Sequence, residues 1–278
     1  MARELATEGG GSVMAVLFYG SCLRDQTAEG VLDFYILVDS YRGYHDSRIG
    51  AAANAALPPT VRYRHGEAAR AKIAIISTSD FAARMRPDSA DTTLWARFCQ
   101  PAALLHARDH EAGRLVGAAI SDAIATGAVW ASRLGPDGGT PAQLWTALFQ
   151  HTYGAELRVE DGGDRSRSIY RQAEAHFDAM LTPALQHAAE RQGQKGWRPA
   201  SADQYRRAWR RRRVLGKGLN IARLIKAAFT FDQRVEYIEW KVQRHTGQAL
   251  QLTDFQRRHP LIAAPGVLWK LWRAGAIR

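Results

Sequence analysis

Cysteine is scarce in this chain, which carries only Cys22 and Cys99. Two thiols cannot build a disulfide framework or a cysteine-based zinc site, and they suit a reducing compartment. Long apolar runs are missing too. No stretch approaches the roughly 20 uninterrupted apolar residues that span a bilayer. Met1 to Gly11 holds two glutamates and no apolar core, so neither a secretory signal nor a transit peptide is expected. No internal repeat is present. Acid is short relative to base: 27 Asp+Glu against 38 Lys+Arg leave a formal charge of +11. That excess favours anionic partners, whether nucleoside triphosphates, phospholipid headgroups or nucleic acid. Arginine outnumbers lysine, and its guanidinium grips phosphate bidentately.

What is there suffices for one large domain or two small ones: 278 residues, 46% of them hydrophobic. The first part reads as mixed α/β. Val13 to Tyr19 and Val31 to Val38 are apolar runs suited to strands, separated by Gly20-Ser21. Val61 to Arg64 and Ala71 to Ser77 are two more. Ser79 to Met85 reads as a capped helix, with Ser79 or Asp80 near its start. Leu94 to His106 is apolar around Arg97. The pattern then turns helical over Ala112 to Arg133, Pro141 to His151, Ser168 to Arg191 with a break at Pro183, and Tyr205 to Ala228. Residues 192–203 read as a loop. The expected class is α+β: a mixed sheet with flanking helices in residues 1–111, a mainly helical domain in 112–260, and a basic amphipathic tail in 261–278.

A strand, then Gly-Ser, then a second strand carrying an acid has a chemical reading. Glycine lets the backbone come close to a triphosphate, while amides and the Ser21 hydroxyl donate to phosphate oxygens. Asp33, set between Leu32 and Phe34, projects from the neighbouring strand and can hold Mg²⁺, a hard cation that prefers oxygen. Gly-Ser alone is more often a plain turn, and Asp33 alone could be an edge-strand acid. Their order along the chain is the sequence form of the nucleotidyltransferase superfamily. One part of that form is absent. The second acid expected two residues on, on the same strand face, is replaced by Tyr35.

A single acid on this strand is what one family shows. The chain resembles the mitochondrial-type phosphatidate cytidylyltransferases, the peripheral CDP-diacylglycerol synthases, through short colinear matches over most of its length. Tyr19-Gly20-Ser21, Leu32-Asp33-Phe34, Tyr44-His45, Lys72 with Ile75-Ile76-Ser77, Arg97 with Pro101, Gly154-Ala155-Glu156-Leu157-Arg158, and Lys226 with Phe229-Thr230 carry the resemblance. Gln100 departs from the family's lysine, Glu156 from its aspartate, and its His-Tyr-Ser segment is not evident. The resemblance implies a nucleotidyltransferase-like fold and transfer of CMP from CTP to phosphatidic acid, with Mg²⁺ as cofactor. It implies Asp33, Glu156 and Lys72 in catalysis, and Asp33 with Glu156 on the metal. Tyr19, Gly20, Ser21, His45, Arg97 and Arg158 would bind the nucleotide. Each has a plainer alternative: a surface salt bridge to Arg158 for Glu156, an ordinary loop histidine for His45, solvated cations for Lys72 and Arg97. Asp39 reads as a loop cap, and Arg165 and Arg167 as loop arginines able to close over phosphate.

The run Arg206-Arg207 and Arg210 to Arg213 cannot all face one way on a helix. With Leu268, Trp269, Leu271 and Trp272 beside Lys270 and Arg273 in the tail, it suits an anionic membrane surface. The plainer alternatives are a solvated basic helix and a tail docked on the protein's own core. The expected location is cytoplasmic, peripheral to the inner face of a membrane, with no transmembrane segment. Two other readings stand beside the lipid one: nucleotidyl transfer to RNA or another phosphorylated acceptor, and an inactive nucleotidyltransferase-fold adaptor.

Overall fold

The computed structural model describes residues 1–27, 29–65, 69–155, 162–197 and 201–230. Its sheet is built from β1 (Val13–Tyr19), β2 (Val31–Val38), β3 (Thr60–His65), β4 (Arg70–Ser77) and β5 (Ala103–Ala107), in the order β3-β4-β2-β1-β5. β2 and β4 run parallel, and the other neighbouring pairs run antiparallel. The first helices, α1 (Ala2–Ala6), α2 (Ser21–Arg24), α3 (Tyr41–Tyr44), α4 (Arg48–Ala56), α5 (Thr78–Ala83) and α6 (Thr92–Phe98), lie between or before the strands. From α7 (His110–Leu134) onward the described chain is helical, through α8 (Pro141–Ala155), α9 (Gly162–Gln172), α10 (Glu174–Glu190) and α11 (Ala202–Thr230). The expected α+β class with a mixed sheet, then helices, is the observed one.

Alternation along the strands divides their side chains between two faces. Leu17, Tyr35, Leu37 and Ile76 face the helices, where Trp95, Phe98, Trp130, Trp145 and Phe177 complete one continuous core. Val16, Phe34, Ile36 and Ile75 face the other way, onto a smaller cluster with Leu5 of α1. α7 is long and apolar enough to cross a membrane by composition alone, yet half of its most apolar window is buried inside the protein. Its small residues, Ala119, Ala123 and Ala128, pack in the main core.

Two local expectations are corrected. The helix at Ser79 to Met85 is α5 (Thr78–Ala83), capped by the Ser77 hydroxyl, which accepts from the Asp80 amide. The break expected at Pro183 falls instead at Ala173, between α9 and α10. Pro183 lies inside α10 on its exposed side, so the carbonyl it leaves unbonded is on the solvent face. Phe177, Leu181, Ala184 and Ala188 stay buried on both sides of it.

Candidate functional site

β1 ends at Tyr19, and the chain turns at Gly20 with φ +94° and ψ −165°, a conformation closed to most side chains. The same position is crowded. A Cβ placed on Gly20 would stand 2.8 Å from the Asp33 Oδ2 atom. Glycine therefore serves both the turn and the close approach of backbone to carboxylate. Ser21 follows as the first residue of α2, and Cys22 is buried, its Sγ donating to the Val31 carbonyl at 3.5 Å. Burial pushes the Cys22 thiol up, which suits a packing residue rather than a nucleophile.

The sheet register lines up the rest of the floor. Tyr19 pairs with Asp33 across β1 and β2, and Asp33 pairs with Lys72 across β2 and β4. The Lys72 Nζ lies 3.9 Å from Asp33 Oδ1. Burial raises the Asp33 carboxyl above its ordinary value, while Lys72, Arg97 and Arg24 pull the other way. Desolvation outweighs three neighbouring cations.

Tyr35, two residues on from Asp33, stands where the sequence reading expected a second acid. It points into the core, with ring centroids 5.3 Å from Tyr19 and 5.1 Å from Phe98. Arg97 of α6 hydrogen-bonds its hydroxyl and also donates to the Thr93 carbonyl at 3.3 Å. The position that would carry a carboxylate thus holds an aromatic anchor that steadies a cation.

An open cleft lies over this floor. Tyr19, Gly20, Ser21, Asp33 and Lys72 come from the sheet side, Ala96, Arg97 and Gln100 from α6 and its end. Phe149, Thr152 and Tyr153 of α8, with Arg165 and Ile169 of α9, form the opposite wall. Arg24 of α2 joins them, its Nε donating to Gln172 Oε1 at 3.1 Å and its Nη1 to Gln100 Oε1 at 3.2 Å. Four cations, Arg24, Lys72, Arg97 and Arg165, thereby share the cleft with Asp33, the one carboxylate lining it among the described residues. No cluster of three or more potential metal ligands occurs among them. Such a site has the charge to receive a polyanion.

No protein-family model matches this chain, and no curated protein is a significant match to it. Among solved structures, the chain is similar to a nucleotidyltransferase-like protein from Exiguobacterium sibiricum 255-15, at 10% identity and a TM-score of 0.29, over 100% of this chain and 90% of that one.

The cleft brings together seven of the residues singled out from the sequence, Tyr19, Gly20, Ser21, Asp33, Lys72, Arg97 and Arg165. Arg165 and Arg167 lie on α9 rather than in the expected loop. Glu156 and Arg158 lie outside the described residues, immediately after α8. His45 is not in the cleft. It follows α3, beyond the far end of β2 from Asp33, where its Nε2 lies 3.0 Å from the Asn54 amide nitrogen. Burial, then Lys226, lowers its pKa, which favours the neutral imidazole. Lys226 is at that end too, donating to the Pro59 carbonyl at 2.8 Å and the Thr60 hydroxyl at 3.2 Å. Asp39 accepts from Arg108 at 3.2 Å. Arg24, Thr152 and Tyr153 were not legible from the sequence. The one available signal for Arg24 was its place four residues after the Gly20 turn.

Proposed function

We propose that this protein is a nucleotidyltransferase that moves CMP from CTP onto phosphatidic acid, giving CDP-diacylglycerol and pyrophosphate. The observation that carries the reading is the backbone of Gly20 set against Asp33, with Lys72 in register and Arg24, Arg97 and Arg165 around them. Nucleotidyl transfer needs a bare backbone beside the phosphates, an acid for the metal and cations for the charge. A phosphate-bearing acceptor brings about two further negative charges, which accounts for a cleft with more cations than a magnesium-bound triphosphate requires.

Mg²⁺ fits as part of the incoming nucleotide complex, because magnesium is commonly held by one or two carboxylates plus substrate phosphates. Asp33 would hold it, with Glu156 as the proposed second carboxylate, and the ion would supply neutralisation of triphosphate charge. The chain's own residues do the remaining work. The Gly20-Ser21 turn seats phosphate oxygens, Lys72 and Arg97 neutralise them, and the cleft aligns the acceptor. A phosphomonoester oxygen forms the new bond to the α-phosphorus as the bond to the pyrophosphate oxygen breaks. The second pKa of such a group is near 6, so the nucleophile is ionised at neutral pH and needs no strong base. The lipid acceptor follows from the resemblance in sequence, as does a cytoplasmic location at the inner face of a membrane.

The test is incubation with Mg²⁺, labelled CTP and phosphatidate vesicles. Labelled CDP-lipid is expected, and it should vanish in a folded Asp33→Ala variant. Incorporation of label into RNA but not lipid overturns the lipid reading, and absence of any transfer overturns the enzyme reading in favour of an adaptor.

A further inference from the structure

We infer that Arg24 and Arg165 form a phosphomonoester subsite separate from the Asp33–Lys72–Arg97 floor, and that it holds the phosphate of the acceptor. The inference rests on the proposed transfer for the acceptor's identity, though not for its chemistry. Arg24 is held from two sides by neutral oxygens, those of Gln100 and Gln172, and Gln172 is itself oriented by its amide donating to Asp25 Oδ1 at 2.9 Å. The guanidinium is thus aimed without being neutralised, for no carboxylate pairs with it directly among the described residues. Arg165 enters from the opposite wall on α9 and makes no hydrogen bond or ion pair with the described residues.

Two guanidiniums facing one cleft repel each other unless an anion lies between them. Their closeness is felt: burial lowers the Arg24 pKa, and the next cause is Arg165. A phosphate monoester answers both, since its oxygens accept the paired N–H groups of each arginine. Arg24 also lies near enough to Asp33 to act on that carboxyl. An anion held there would be beside the nucleotide's phosphates, where an attacking oxygen must be.

The test is titration calorimetry on the full chain with three probes: α,β-methylene-CTP with Mg²⁺, sn-glycerol 3-phosphate, and monomeric dihexanoyl phosphatidate. With the nucleotide analogue already bound, both phosphomonoesters should still bind. Arg165→Gln and Arg24→Gln should each weaken them at least tenfold while leaving analogue affinity within threefold. Lys72→Met should do the reverse. Far-UV circular dichroism checks each fold, and Arg165→Gln keeps the test open if Arg24→Gln does not fold. Phosphomonoester binding unchanged in Arg165→Gln, or competition between analogue and phosphomonoester, overturns the subsite. If the analogue does not bind at all while the arginine variants still lose phosphomonoester, the proposed transfer fails and the subsite stands. Binding of glycerol phosphate with or without phosphatidate supports the subsite and tells a soluble acceptor from a lipid one.

Discussion

A methyl group at position 20 would meet the Asp33 carboxylate at 2.8 Å and would force a side chain to adopt φ +94°. Gly20→Ala should therefore cost about 1–3 kcal/mol of stability through backbone strain and displace the carboxylate from the cleft. Chemical denaturation and transfer assays should show both losses; a variant with normal activity would mean that the close approach has no role. Asp33 makes a sharper case, because its folded pKa lies above its ordinary value. Below about pH 3.9, the usual aspartate value, both folded and unfolded states are protonated and the group costs nothing. As pH rises the unfolded chain ionises first, so folding weakens until pH passes the folded pKa, and the cost then stays constant. Asp33→Asn should raise the melting temperature at pH 7, leave it unchanged at acid pH, and abolish transfer. An equal shift at both pH values would refute the assigned cause. Gly20, Asp33 and Lys72 were legible in the sequence because a glycine turn and polar residues inside apolar strands stand out against their neighbours. Arg24 was not, since its role comes from Gln100 and Gln172, 76 and 148 residues away.

Elements explain what single positions cannot. β1, β2 and β4 were readable because each is a short apolar run ended by a turn residue, whereas β5 was hidden in an apolar stretch shared with α6. α10 keeps its course through Pro183 because core contacts on both sides hold it, and no local signal reports such contacts. The same logic governs Tyr35. Restoring an acid by Tyr35→Asp would not restore a metal clamp, because that side chain is buried among Tyr19, Phe81 and Phe98. It should instead destabilise by roughly 3–5 kcal/mol, from lost aromatic packing and a buried charge. A folded Tyr35→Asp variant with tighter metal binding would sink this account. α11 divides its arginines in a similar way. Arg212 is buried, with its guanidinium 4.5 Å from the Trp130 ring centroid and donating to the carbonyls of Pro87 and Ser89. Arg212→Ala should cost about 2–4 kcal/mol by leaving those carbonyls unpaired and the ring uncovered. Arg211→Ala, at an exposed position, should stay within about 0.5 kcal/mol. Equal urea midpoints for the two variants would show that Arg212 is not the anchor.

At the scale of the molecule, the +11 charge is not spread evenly in purpose. Some of it is structural: Arg212 and Arg223 bind loop carbonyls, and Arg223 also pairs with the buried Asp91. Some of it lines the cleft. The remainder includes Arg206, Arg207, Arg210, Arg211 and Arg213, all exposed on α11 next to Val214, which is 74% exposed. Basic residues beside an uncovered apolar side chain suit a surface with both charge and hydrocarbon, as an anionic bilayer has. Each cation near such a surface contributes about 1 kcal/mol at physiological ionic strength, and the attraction fades within a Debye length, about 8 Å at 0.15 M salt. Changing these five arginines to glutamine should lower co-sedimentation with phosphatidate-containing vesicles by at least tenfold. It should leave binding to neutral vesicles and the affinity for nucleotide unchanged, since none of the five lines the cleft. Raising salt to 0.5 M should reproduce the loss in the unaltered protein. If the five-fold variant binds anionic vesicles as well as the parent does, the helix face is merely solvated and membrane contact must come from the segment after Thr230, where residues 261–278 carry the Trp–Leu–Lys–Arg pattern. The two sources are separable by removing that segment alone, because contact through the helix arginines would be salt-sensitive, whereas contact through buried tryptophans would not be screened by salt.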